Sequence, residues 1–135
     1  ADCSRLKWWP EAIERTSKMA DTLDDLRTRI DAFVAERDWA QFHTPKNLAM
    51  AMIVEAAELV EKFQWDTPQE SQHLTPEKLE AVSNELADTF VYLLRIAEVL
   101  NIDLVDATHK KIALNALKYP VEKAKGSNAK YTAYL

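Results

Sequence analysis

At 135 residues the chain has room for one hydrophobic core, but not for a catalytic domain beside a separate recognition domain. A single glycine, Gly126, excludes glycine-rich phosphate loops and the dinucleotide fingerprint and argues against a hairpin-rich sheet. The net charge of -5 without a basic block sets duplex nucleic-acid binding aside, and the lone Cys3 excludes an intrachain disulfide or a cysteine metal cluster. No apolar run reaches membrane length and the opening residues lead into no signal-peptide core, so a cytoplasmic location is the expectation.

Residues 1–20 read as an N-terminal extension in which Pro10 to Met19 could form a short packing helix behind Trp8 and Trp9. The first firm helix starts at Thr22 or Asp21, and Thr22 with Asp25 three residues on resembles a capping box, Asp standing in for the usual Glu. It continues through Leu23, Leu26, Ile30 and Phe33 to about Asp38. Trp39 to Pro45 is aromatic and polar together, which predicts a packed loop in which Thr44 caps the next helix and Pro45 occupies its first turn. That second helix runs from about Lys46 to Phe63. Leu48, Met52, Leu59 and Phe63 form one stripe, flanked by Ala49, Ile53, Ala56, Ala57 and Val60, and a helix this apolar is expected to be central.

Residues 64–77 hold Pro68 and Pro76 and read as a loop that ends in the helix start Thr75-Pro76-Glu77. The third helix, about 77–100, places Leu79, Val82, Leu86, Phe90, Leu93, Ala97 and Leu100 on its main face, with Tyr92, Ile96 and Val99 on a flank. The fourth follows Asp103 and reaches Lys118, where Pro120 stops it ahead of a polar tail. The predicted architecture is therefore all-α, a four-helix bundle domain spanning 21–132.

The chemistry lies in two acidic pairs. Helix 2 carries Glu55 and Glu58, and helix 3 carries Glu85 and Asp88. Each pair is three residues apart and so shares a helix face. Glu55 falls on the side of Leu48 and Leu59, and Glu85 and Asp88 fall beside Tyr92 and Ile96. Carboxylates beside apolar faces need compensation, and two facing pairs repel without a cation. An oxygen-only donor set suits a hard ion, Mg²⁺ with Mn²⁺ as a substitute, and such an ion suits chemistry at phosphate. Either pair alone would read as surface charge; two pairs on two strongly apolar helices favour a metal site. A ferritin-like di-iron bundle would want Glu-x-x-His on two helices, and His109 has no glutamate three residues before it.

On helix 4, Lys111, Asn115 and Lys118 share a side, with Tyr119 adjacent, and cations and an amide there would suit triphosphate oxygens. The plainer reading is a solvated basic edge at a helix C-terminus. Trp39, Phe42, His43 and Trp65 flank helix 2 and could sandwich a base. Alternatively the tryptophans plug the core at the helix ends and His43 is a satisfied loop residue.

With these residues in view, the sequence resembles the MazG-like all-α nucleoside triphosphate pyrophosphohydrolases, in particular the branch containing the dCTP pyrophosphatases. FVAERDWAQFHTPKNLAMAMIVEAAELVEKFQW at 33–65, ELADTFVYLLRIAEVL at 85–100, KIALNALKYP at 111–120 and KGSNAKYT at 125–132 carry the resemblance. It implies Glu55, Glu58, Glu85 and Asp88 as Mg²⁺ ligands and catalytic residues, and Trp39, His43, Trp65 and Tyr92 as the base and sugar pocket. Lys111, Asn115, Lys118 and Tyr119, with Asn47, are then the remaining substrate contacts. It also implies cleavage of the α–β phosphate bond of dCTP or a modified dCTP, in nucleotide-pool house-cleaning. The expected assembly is a homo-oligomer, a tetramer rather than a dimer, with no stable nucleic-acid or membrane partner. A preference for dUTP or another nucleotide, or a non-enzymatic helical interaction module, are the alternatives. The linker 66–76 differs in composition from the dCTP branch.

Overall fold

A computed structural model describes residues 22–135, so the expectations for Cys3, Trp8, Trp9 and a helix at Pro10 to Met19 lie outside the described residues. Five α-helices follow in order: α1 (Leu23–Glu36), α2 (Pro45–Glu61), α3 (Pro76–Val99), α4 (Leu104–Lys118) and α5 (Val121–Ala124). Short 3₁₀ turns lie at Ala40–Phe42, Glu70–Gln72 and Tyr131–Tyr134. The expected count of four is corrected by α5, a single turn in the segment read as a polar tail. Pro120 ends α4 but is also the N-cap of α5, its fixed φ of -57° suiting a helix entry.

The helix starts form as their sequences dictate. Thr22 and Asp25 close the capping box at α1, and the hydroxyls of Thr44 and Thr75 accept from the N–H of Asn47 and Lys78 at 3.2 Å. Asp103 does the same for Asp106 at α4, at 2.9 Å.

The helix ends show how a chain with one glycine terminates its helices. After α1, Asp38 takes φ 52°, with Trp39 N–H donating to Val34 O and Asp38 N–H to Ala35 O, both at 3.1 Å. After α3, Asn101 takes φ 52°, with Ile102 N–H donating to Ala97 O at 2.8 Å and Asn101 N–H to Glu98 O at 3.0 Å. Both are Schellman endings, with Asp and Asn, which tolerate left-handed backbone, in the usual glycine position.

Packing centres on α3, which α2 covers extensively and α1 more lightly, while α4 packs substantially on neither α2 nor α3. Val34, Leu48, Val82, Leu94 and Ala97 form the buried apolar core, and Leu48 is 1% exposed. Arg95 is buried with them and pairs with Asp31 of α1; Arg27 of α1 pairs with Glu98. The expected main face of α3 is split. Val82 and Ala97 turn inward, whereas Leu79, Leu86, Phe90, Leu93 and Leu100 stay exposed because α1 and α2 cover one side only. Likewise α2 is central along one stripe and open along another, with Ile53 and Val60 more than half exposed.

Leu48→Ala should therefore cost about 3 kcal/mol of unfolding free energy, since it empties the most buried site between α2 and α3. Ile53→Ala, on the open side, should cost well under a third of that in the isolated fold. Urea unfolding followed by circular dichroism measures both, and equal losses would mean that Ile53 is covered in solution.

Candidate metal centre and aromatic pocket

Helical spacing places two acidic pairs on the faces where α2 meets α3. One carboxylate oxygen each from Glu55, Glu58 and Glu85 lies within 4.8 Å of the others, a separation that a single ion can span. Glu55 and Glu85 are half-buried and Glu58 is exposed. Asp88 stands outside this group of three but close enough for its charge to act on Glu55. The structure thus brings three of the four expected ligands together and the fourth alongside.

The electrostatics follow from the crowding. Burial, then the charges of Asp88, Glu58 and Glu85, push the Glu55 carboxyl above its ordinary range. Burial and Glu85 push Asp88 up as well. The Tyr92 phenol is raised by burial and by Glu55 and Asp88, which puts the ring beside the cluster as its helical position implied. The donor set, all carboxylate oxygen with no sulfur or clustered imidazole, fits a hard divalent cation.

Lys62 is a participant that sequence reasoning missed. It is the C-cap of α2, one turn beyond Glu58, and its ammonium lies 3.0 Å from Glu85 Oε1. The hydrogen bond to Glu85, with the charges of Glu85, Glu58 and Glu61, raises its pKa. The i,i+4 spacing from Glu58 was the available signal, but spacing along α2 does not show that the lysine reaches across to α3.

The aromatic residues are held by the helix ends. The Schellman ending of α1 fixes the Trp39 backbone, and its ring meets Phe33 edge-on with centroids 5.7 Å apart, the apolar contact typical of that motif. A 3₁₀ turn leads from Trp39 to His43, and Asn47 Nδ2 donates to Phe42 O at 3.0 Å. Asn47, expected against substrate, therefore braces the loop. His43 Nδ1 and Arg95 Nε are buried atoms without a hydrogen-bond partner among the described residues, and burial together with the nearby Arg95 charge lowers the His43 pKa.

Trp65 is 88% exposed in the described chain, so it does not plug a core there. Its loop is tied down on both sides. Asp66 N–H donates to Phe63 O at 2.9 Å, the Asp66 carboxylate pairs with Lys78 of α3, and the Lys78 ammonium lies 5.5 Å from the centre of the Phe63 ring. Within the linker, Thr67 and Glu70 bond reciprocally.

The helix 4 residues occupy a different setting. Lys111 and Asn115 are exposed, Lys118 sits 5.2 Å from the centre of the Tyr131 ring, and Tyr119 packs edge-on against Tyr131 and Tyr134. The described contacts join Lys118 and Tyr119 to the chain's last turn and not to the acidic cluster. None of the described helices is long and apolar enough to cross a membrane.

A helical fold with acidic pairs converging between two adjacent helices defines a class of all-α proteins with a candidate carboxylate metal centre. Comparison with known proteins is specific: the MazG-like family model matches residues 50–133. Over 113 residues the chain is 42% identical to dCTP pyrophosphatase 1 of Mus musculus and to that of Homo sapiens, covering 82% of this chain and 66% of each relative. The chain thus spans just under two thirds of the length of these relatives. The crystal structure of a pyrophosphatase from Archaeoglobus fulgidus DSM 4304 superposes with a TM-score of 0.70 at 33% identity, covering 78% of this chain and 99% of that one. The chain belongs to the MazG-like family, close to the dCTP pyrophosphatases.

Glu55→Gln should raise the thermal midpoint of the ion-free protein near neutral pH by a few degrees. The folded-state pKa of Glu55 lies above its unfolded value, so ionising it at higher pH costs the native state stability, and the cost vanishes below the unfolded pKa. The variant's advantage should therefore shrink as pH falls from about 8 towards about 4. Melts in EDTA across that range check it; an advantage independent of pH would contradict the repulsion.

Proposed function

We propose that the chain hydrolyses the α–β phosphate bond of a nucleoside triphosphate, releasing a monophosphate and pyrophosphate, with dCTP or a modified dCTP as substrate. The observation that carries this reading is the convergence of Glu55, Glu58 and Glu85 oxygens between α2 and α3, with Asp88 alongside. The names of the mouse and human relatives, dCTP pyrophosphatase 1, and of the Archaeoglobus fulgidus pyrophosphatase support the chemistry and, for the first two, the base.

Glu55, Glu58, Glu85 and Asp88 would hold Mg²⁺. A divalent ion in such a site polarises phosphoryl oxygens and makes water acidic enough to act as a nucleophile. The chain's own contribution is orientation and proton handling. Glu55, half-buried beside the other carboxylates, would orient an attacking water and take up its proton. Trp39 and Trp65 offer exposed aromatic faces at the two ends of α2 for a base, and Tyr92 borders the cluster where a sugar would lie. His43, kept neutral by burial and Arg95, offers a polar edge that reads hydrogen bonds without adding charge.

Lys111, Asn115, Lys118 and Tyr119 would contact phosphate oxygens. In this reading the protein works as a homo-oligomer, a tetramer in preference to a dimer. The open faces support it: Leu86 and Phe90 of α3, Ile53 and Val60 of α2, and Ile112 and Leu117 of α4 are all exposed in one chain.

Pyrophosphate release from a panel of canonical and modified dNTPs and NTPs, with Mg²⁺ and with EDTA, tests the proposal. Metal-dependent release, strongest from dCTP or its 5-substituted forms, is expected. Release only from another nucleotide would keep the chemistry and overturn the base, and no release from a folded protein would overturn both. Glu55→Gln should remain folded and lose at least about a hundredfold in turnover. Trp65→Ala should raise KM more than it lowers kcat, and unchanged kinetics would remove Trp65 from the base pocket.

A further inference from the structure

Three side chains bring negative charge to one point between α2 and α3, and the structure sets a cation on one of them. Lys62 Nζ lies 3.0 Å from Glu85 Oε1, and the two side chains are 29% and 13% exposed. Glu85 is in turn one of the three carboxylates whose oxygens approach within 4.8 Å. The ammonium therefore sits on an oxygen-bearing group that a bound ion would use. We infer that Lys62 is a built-in counter-cation of this cluster: it holds Glu85 while no divalent ion is present and gives that carboxylate up when one binds. The inference rests on the proposed metal site.

The physical case has three parts. Carboxylates this close repel one another, and a charge-assisted hydrogen bond in a half-buried setting is a strong local remedy. A divalent ion satisfies the same groups with twice the charge, and two cations competing for one carboxylate disfavour each other, so the lysine and the ion are coupled with opposite sign. Lysine suits the role because its charge rides on a flexible four-carbon stem and makes no fixed fork. As the C-cap of α2, Lys62 follows the helix's last residue, Glu61, and so lies outside the helix interior. The arrangement keeps Glu85 directed into the α2–α3 seam before metal arrives, at the expense of some metal affinity.

The test is titration of the full chain with Mg²⁺ alone and with Mn²⁺ alone, by calorimetry, for the wild type, Lys62→Gln, Lys62→Arg, Lys78→Gln and Glu55→Gln. Lys62→Gln should bind the ion at least about fivefold more tightly, the lower end of ordinary coupling between two ligands. It should also melt at a lower temperature than the wild type in EDTA and gain more on addition of Mg²⁺. Lys62→Arg, which keeps the charge and adds a fork that grips a carboxylate, should bind the ion no more tightly than the wild type. Lys78→Gln, which removes an ammonium paired with Asp66 instead, should leave the affinity unchanged. Equal or weaker ion binding by Lys62→Gln, with binding intact in the wild type and lost in Glu55→Gln, would overturn the role of Lys62 and leave the metal site standing. No ion binding by the folded wild type would overturn the metal site and the counter-cation with it.

Discussion

Repulsion among the carboxylates of α2 and α3 is the constraint around which this molecule is arranged. The same packing that buries Leu48, Val82 and Leu94 brings Glu55, Glu58 and Glu85 oxygens within 4.8 Å of one another. Fold and site are thus one contact surface: the apolar rows draw the helices together, and the acidic rows oppose the last stage of approach. A domain with only a handful of buried apolar side chains has little reserve against such opposition. The native state sets Lys62 on Glu85, while burial and the remaining repulsion push the carboxyls of Glu55 and Asp88 up.

The aromatic residues depend on a second constraint, the scarcity of glycine. Ending α1 without glycine puts Asp38 into left-handed backbone, and the two hydrogen bonds of the Schellman ending then determine where Trp39 emerges. Thr44 and Pro45 restart the chain at once as α2, so the residues between have no freedom to wander, and Asn47 ties Phe42 down. At the other end of α2, the Asp66–Lys78 pair anchors the turn that carries Trp65 to the first turn of α3. Both tryptophans are therefore presented from rigid connections at the two ends of the helix that bears Glu55 and Glu58.

Much of this was legible in the sequence because it is local. Thr22 with Asp25, Thr44 with Pro45, Thr75 with Pro76, and Asp103 each announce a helix start through their own side-chain chemistry, and all four begin helices. The acidic pairs were legible because helical spacing fixes which side chains share a face. What escaped depends on partners distant in the chain. Lys62 reaching Glu85, and buried Arg95 meeting Asp31, are pairings that no spacing rule within one helix can show. The α5 turn escaped because Pro120 reads as a stop, although the φ that ends one helix also suits the start of another. The apolar face of α3 was read as one surface because periodicity reports only that a face is apolar; it does not say which neighbour covers it.

That last point bears on how the site is completed. Within one chain α4 packs substantially on neither α2 nor α3, and its Lys118 and Tyr119 engage the last turn of the same chain. On the proposed function a triphosphate at the cluster would need cationic partners beyond the metal, and the lysines expected to serve, Lys111 and Lys118, are on that helix. The exposed apolar residues of α2, α3 and α4 need cover for a separate reason, the cost of leaving them in water. A second copy laid on the open faces would hide the apolar rows. On the proposed function, such an assembly would belong to the active site if it also brought the lysines of a neighbouring α4 to the acidic cluster.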